Sequence, residues 1–129
     1  MNHRLLFIAA ISGFIAVALG AFGAHGLKNI ASAEMVSIFK LAVEYQFYHT
    51  FALVSLAFAA QWLSTKWLNW SAGFFIVGIL LFSGSLYLYA LTQAKWIGPI
   101  TPMGGLCLLI AWALFAIAAW RRPINTDQI

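Results

Sequence analysis

The most constraining feature of this chain is a stretch without charge. Residues 5–24 carry no acidic or basic side chain, and Arg4 stands just before them. About 20 apolar residues make roughly 30 Å of helix, the thickness of a bilayer's hydrocarbon core. Three further runs of spanning length follow, over about residues 45–63, 70–91 and 103–120. The pattern predicts an all-α membrane protein, a four-transmembrane-helix bundle forming a single transmembrane domain over residues 1–129. Composition points the same way. The chain is 64% hydrophobic and 8% charged, and a small soluble domain could not hide that much apolar surface. The first run is too long for the apolar core of a signal peptide and is followed by more spans, so it reads as a helix of the mature protein.

The connections differ in character. Residues 26–44 mix Ala33, Val36, Ile38, Phe39, Leu41 and Val43 with Glu34, Ser37, Lys40 and Glu44 at helical spacing. This predicts an amphipathic segment before the second span, lying at the interface or leading straight into the span. The second connection falls at residues 64–69. The third contains Lys95, Gly98 and Pro99 and must turn sharply. Thr101 and Pro102 are placed as N-cap and first residue of the fourth helix.

Four spans return both termini to one side. That side holds Arg4, Lys66, Arg121 and Arg122, and the other holds Lys28, Lys40 and Lys95. The excess predicts cytoplasmic termini. The net charge of +4 is dispersed between apolar runs, so it sets topology and gives no nucleic-acid surface. Trp62, Trp67, Trp70 and Trp120 fall at the terminal side, and Tyr45, Tyr48 and Trp96 at the other, as interfacial belts do. Cys107 is the only cysteine, which excludes an intrachain disulfide.

The first and third spans resemble each other at a shift of 60 positions. Gly13, Phe14, Val17 and Phe22 coincide with Gly73, Phe74, Val77 and Phe82. A true duplication would repeat a helix pair about an axis along the membrane normal. Small residues at Gly13, Ala16, Gly20, Ala24, Gly84, Gly104 and Gly105 are candidate helix-packing positions, because lipid supplies no hydrophobic drive and close backbone approach must replace it.

Polar groups inside a membrane are costly and turn toward protein or water. Here His25, Glu44, Gln46, His49, Ser83, Ser85, Tyr87 and Thr101 all fall toward the face opposite the termini. They predict a polar cluster opening to the extracytoplasmic side. The plainer reading is that Gln46, His49 and Thr50, which share one helix face, simply bond neighbouring helices. His49 is expected to face the bundle, with Gln46, Ser83, Ser85 or Thr101 as partners, and Glu44 to pair with Lys40 or reach His25. Two other readings use the same residues: metal or haem ligation by His25 and His49, and a proton or solute path through Glu44, His49 and His25. No haem-attachment motif, His pair at i,i+4, phosphate loop or nucleophile–base pair accompanies them. No metal site, cofactor or enzymatic activity is therefore expected.

Four ordered segments carry a resemblance. Gly20-Ala21-Phe22-Gly23-Ala24-His25-Gly26-Leu27, Tyr45-Gln46-Phe47-Tyr48-His49-Thr50-Phe51-Ala52-Leu53, Phe82-Ser83-Gly84-Ser85-Leu86-Tyr87 and Ile100-Thr101-Pro102-Met103-Gly104-Gly105 resemble the signatures of the domain-of-unknown-function 423 family, the YgdD-like small bacterial inner-membrane proteins. Animal transmembrane protein 256 is similar. The resemblance spans nearly the whole chain and implies a multi-pass protein of the bacterial inner membrane, without an activity. The expected function is non-enzymatic binding of a lipid or protein partner, with membrane lipids and another membrane protein, a second copy included, as partners. The alternative is a small oligomeric transporter or channel component.

Overall fold

The structure, a computed structural model, describes residues 1–121; Arg122 of the basic terminal side lies outside the described residues. Four long helices follow in order: α1 (His3–His25), α2 (Ala33–Ala59), α3 (Thr65–Thr92) and α4 (Ile100–Trp120). Short 3-10 turns, Leu27–Asn29 and Lys95–Ile97, precede α2 and α4. Local chemistry sets these ends. The Asn2 side chain accepts a hydrogen bond from Leu5 N–H at 3.1 Å, and Ser32 accepts one from Met35 N–H at 3.2 Å. Both satisfy donors that a helix start leaves without partners. At the end of α3, Gln93 takes a left-handed backbone (φ 55°) and its N–H closes on Tyr89 O at 2.8 Å.

Three boundaries differ from expectation. The amphipathic segment and the second span form one continuous helix, which ends at Ala59 instead of residue 63. The second connection is correspondingly displaced to residues 60–64, and α3 already begins at Thr65. The fourth helix starts at Ile100 with Pro99 as its N-cap, so Thr101 and Pro102 lie inside the first turn. Pro102 is tolerated there because the first N–H groups of a helix have no carbonyl to reach. The Thr101 hydroxyl is engaged elsewhere, with Ser85.

With their flanking 3-10 turns, α1 and α4 are long and apolar enough to cross a membrane, as is α3. At 27 residues α2 is long enough (about 40 Å) but not as apolar. Tyr45, Gln46, Tyr48, His49 and Thr50 interrupt its middle. The reason is position. It packs against α1 on one side and α3 on the other, and buries ten of its residues against four on α1 and four on α4. A helix shielded by protein can carry polar groups that a lipid-facing one cannot.

Successive helices are antiparallel. Asn2 N–H donates to Ala57 O across α1 and α2 at 2.9 Å. The Ser71 hydroxyl donates to Ala111 O across α3 and α4 at 2.8 Å. Packing follows chain order: α1 on α2, α2 on α3, α3 on α4. The expected four-helix bundle is thus open, a row of neighbours and not a closed square in which α1 would also pack along α4. Leu5, Ala9, Leu53, Leu56, Leu68, Phe75, Leu108 and Ala111 form the main core toward the terminal end, and Leu27, Phe39 and Ala90 a second one at the other end.

The small residues divide sharply. Gly13, Ala16 and Gly20 face α2; Ala16 is fully buried, and a Cβ on Gly20 would meet Val43 at 3.3 Å. Ala24 is exposed, and Gly23 takes its place: a Cβ there would lie 2.8 Å from the Phe39 ring. Gly104 lies so close to α3 that a Cβ would overlap the Leu81–Phe82 backbone, while Gly105 is looser, at 3.7 Å from the Phe82 ring. A methyl added to Gly84 would meet nothing within 4 Å, so this residue packs against no other helix within the chain.

Candidate functional site

Two different polar arrangements occupy the inner surfaces of these helices. The first is a closed network between α1, α2 and α3. Gln46 lies near the middle of α2 and is buried. Its Nε2 donates to Ser12 O at 3.0 Å and approaches Ser12 Oγ at 3.3 Å. Its Oε1 accepts from the Tyr87 hydroxyl at 2.6 Å. Ser12 Oγ and Thr50 Oγ1 share a hydrogen bond of 2.6 Å. An amide has a donor end and an acceptor end, and this one uses both, joining three helices through one side chain. Two flanking contacts complete the set. Ser83 donates to Ala42 O at 2.8 Å, and Ser85 donates to Phe82 O at 2.9 Å while meeting Thr101 Oγ1 at 2.5 Å. Among the described residues, every fully buried side-chain nitrogen and oxygen has a partner.

The second arrangement is a groove of about 590 Å³ between α2 and α4, lined by Tyr45 and His49 of α2, Phe82 of α3, and Pro102, Gly105, Leu106, Leu108, Leu109 and Trp112 of α4. It exists because α2 and α4 each pack on α3 and meet one another at His49 and Trp112. It follows α4 from Pro102 to Trp112, about 15 Å at 1.5 Å per residue. His49 is only 6% exposed. Its Nδ1 lies 2.7 Å from Tyr45 O, one turn earlier on its own helix. The ring is bracketed by aromatics: Tyr45 stacks on it at 6.1 Å, and Phe75 and Trp112 lie 5.8 Å and 6.1 Å away.

The sequence-predicted cluster is therefore only partly brought together. Gln46 and Tyr87 are directly bonded, as are Ser85 and Thr101. His49 is buried as expected, but its bond goes to its own backbone and not to Gln46, Ser83, Ser85 or Thr101. A carbonyl one turn back is always within reach of a helical side chain, which gives it the advantage over partners on other helices. His25, at the end of α1, and Glu44, on the outer face of the middle of α2, are both exposed and stand outside the network. The 13 positions from Ser12 to His25 put the end of α1 about 20 Å above the Ser12–Thr50 level, at 1.5 Å per residue, so His25 and His49 do not form a ligand pair. Among the described residues no three His, Cys, Asp or Glu side chains gather as a metal site. Sequence reasoning missed Ser12, whose backbone and hydroxyl both serve Gln46, and Trp112, which lines the groove opposite His49. Ser12 is the only polar side chain in residues 5–24, and that isolation is its signal.

Comparison with known proteins places the chain. A family model described as "Protein of unknown function (DUF423)" matches residues 19–105. The UPF0382 inner membrane protein YgdD of Escherichia coli strain K12 is 45% identical over 120 residues, covering 93% of this chain and 92% of that one. The chain belongs to this family. A UPF0382 membrane protein of Haemophilus influenzae is 41% identical over 121 residues, with 94% and 97% coverage. One from Staphylococcus epidermidis is 40% identical over 113 residues, with 88% and 92% coverage. No solved structure matches. The family's relatives are named as membrane and inner-membrane proteins, and with three helices able to cross a bilayer the chain is a multi-pass protein of the inner membrane. The family match includes Gln46, His49, Thr50, Phe82 and Tyr87 but not Ser12 or the groove residues after Gly105.

Proposed function

We propose that this is a four-span, non-enzymatic membrane protein that binds a lipid-like molecule of the surrounding bilayer in the lateral groove between α2 and α4. The observation that carries this reading is the groove itself: about 590 Å³, apolar and aromatic in its lining, with no charged residue. Concave, mostly apolar sites with one or two placed polar groups are the usual form of a small-molecule site. Three facts support four spans. α2 is long enough, it runs antiparallel between two spanning helices, and its Gln46, His49 and Thr50 are buried. The polar network supports binding over conduction, because its buried donors and acceptors are already spent on one another. This weighs against the small oligomeric transporter or channel component. Neither His25, at the end of α1, nor Glu44, exposed on another face of α2, lines the groove, so those two residues are not part of the binding region.

Native mass spectrometry of the protein released from nanodiscs tests the reading. The expected result is a bound amphiphile that is lost in Gly105→Phe, which fills the groove from α4. A parent protein without adducts, or an adduct that Gly105→Phe retains undiminished, overturns it. The same reading places the termini in the cytoplasm. Its support is that Lys66 and Arg121 both lie over the Trp67 ring, at 5.5 Å and 5.6 Å, on the end that also carries Arg4. In a Cys107→Ser background, Lys28→Cys should react with an impermeant maleimide in intact spheroplasts and Lys66→Cys only after lysis; the reverse pattern inverts the topology.

A further inference from the structure

The hydrogen bond at His49 has a consequence for what the groove accepts. A carbonyl oxygen can only accept, so the Tyr45 O contact requires the proton on Nδ1. In the neutral ring, Nε2 is then a bare acceptor. Nε2 has no partner among the described residues, yet it is not one of the fully sealed atoms, since none of those lacks a partner. His49 as a residue is only 6% exposed and lines the groove, so the remaining accessible surface of Nε2 opens there. The protein thus presents Nε2 as an acceptor at the Trp112 end of a mostly apolar trough, whose other polar tips are the Tyr45 hydroxyl and the Trp112 indole N–H. His49 and Trp112 face each other across that end.

An acceptor held in apolar surroundings without a partner costs free energy that a bound donor restores. A charged headgroup would lose its own solvation with no countercharge in the lining. An ester or ether head could offer Nε2 only another acceptor. Resting on the groove as the binding site, we infer that it selects neutral amphiphiles whose polar group is a hydroxyl, which donates to His49 Nε2 while the apolar body lies along α4 toward Pro102. Tyr45, Phe82 and Trp112 supply aromatic faces beside that point, so a hydroxyl on a flat ring, a phenol or hydroquinone, fits better than one on an alkyl chain.

The test uses matched probes on the full chain in nanodiscs, each referenced to empty discs: 4-nonylphenol, its methyl ether 4-nonylanisole, and 1-dodecanol. The protein carries 15N-labelled histidine, and His49→Phe assigns the His49 signals against His3 and His25. The expected result is that nonylphenol binds about tenfold more tightly than nonylanisole, the scale of one neutral hydrogen bond. It should also move the His49 Nε2 resonance, as nonylanisole should not, and dodecanol should fall between the two. In His49→Phe the phenol and its ether should bind equally. Equal binding of phenol and ether to the parent, or an unmoved Nε2 resonance with phenol bound, overturns the hydroxyl inference and leaves the groove reading standing. Binding of neither probe, or phenol binding that survives Gly105→Phe, overturns the groove reading itself. Because the resonance is read on the unaltered chain, the result does not depend on His49→Phe folding.

Discussion

The α1–α2 and α3–α4 pairs solve the same problem in different ways. Across α1 and α2 the contact is polar at its centre: Ser12, Gln46 and Thr50 exchange hydrogen bonds, and Tyr87 from α3 joins them. Across α3 and α4 it is steric. Gly104 sits against the Phe82 backbone, Gly78 sits under Leu108, and Ser71 and Ser85 add single bonds. In lipid, apolar contact alone gives no drive for helices to associate, so packing density and hydrogen bonds must supply it. Each pair leans on one of the two. The difference also limits what the 60-residue sequence shift means. Gly13 lies against Thr50, but its counterpart Gly73 is exposed with nothing within 4 Å of an added Cβ. Phe14 is exposed while Phe74 packs on the core. The similarity of the two spans does not extend to equivalent contacts.

The largest effect should come from the steric pair. Gly104→Leu has no flexible neighbour to displace, since backbone atoms of α3 occupy the space. The cost should exceed the roughly 1–3 kcal/mol of ordinary overpacking, and the protein should fail to give a cooperative unfolding transition in detergent. A parent-like transition would mean that α3 and α4 are not in close backbone contact. Next comes a pair of adjacent substitutions on α1. Gly23→Leu must push aside the Phe39 ring and should destabilise by about 1–3 kcal/mol, whereas Ala24→Leu should be nearly silent; the opposite order would rotate the helix by one position.

Within the polar pair, Gln46→Leu removes the amide shared by Ser12 and Tyr87. It should cost about 1–3 kcal/mol through the groups left without partners. A double-mutant cycle with Tyr87→Phe should show coupling, and additivity would dissolve the network. The smallest change is expected at Gly84→Ala, where the added methyl meets nothing and the residue sits inside a helix. Helix propensity predicts a gain of up to about 1 kcal/mol. A clear loss of stability would reveal a contact that only an assembled form provides.

The helices are legible in the sequence because charge-free runs of spanning length leave few alternatives. Direction is the weak point. In a soluble protein the apolar stripe of a helix marks its buried face. Here Phe7, Phe14 and Val17 point outward from α1 while Ala9 and Ala16 point inward, and both faces are apolar. That is why small-residue spacing favours Ala24 over the Gly23 that actually packs, and makes Gly84 look equivalent to Gly104. The polar residues are a better guide, since each needs a partner. Gln46, Ser85, Tyr87 and Thr101 stand out in this way and are bonded. His49 stands out too, but its bond does not, because a backbone acceptor on the same helix leaves no trace in sequence. α2 can be read as a span only by looking past its polar middle, and the neighbours that make that middle tolerable are a tertiary fact.

The neighbour order of the helices also bears on how the chain is made. Helices pack on their neighbours in the chain, α2 on α1, α3 on α2 and α4 on α3, so each new helix meets a partner that has already been made. Loop closures are short, and the contacts they enable are local in sequence, the condition under which folding is fast. α1 and α2 can pair while α3 is still in the ribosome. The Gln46 side chain is then left half finished, with its oxygen waiting for Tyr87. The arrival of α3 satisfies it, so the order of assembly is written into the two ends of a single amide.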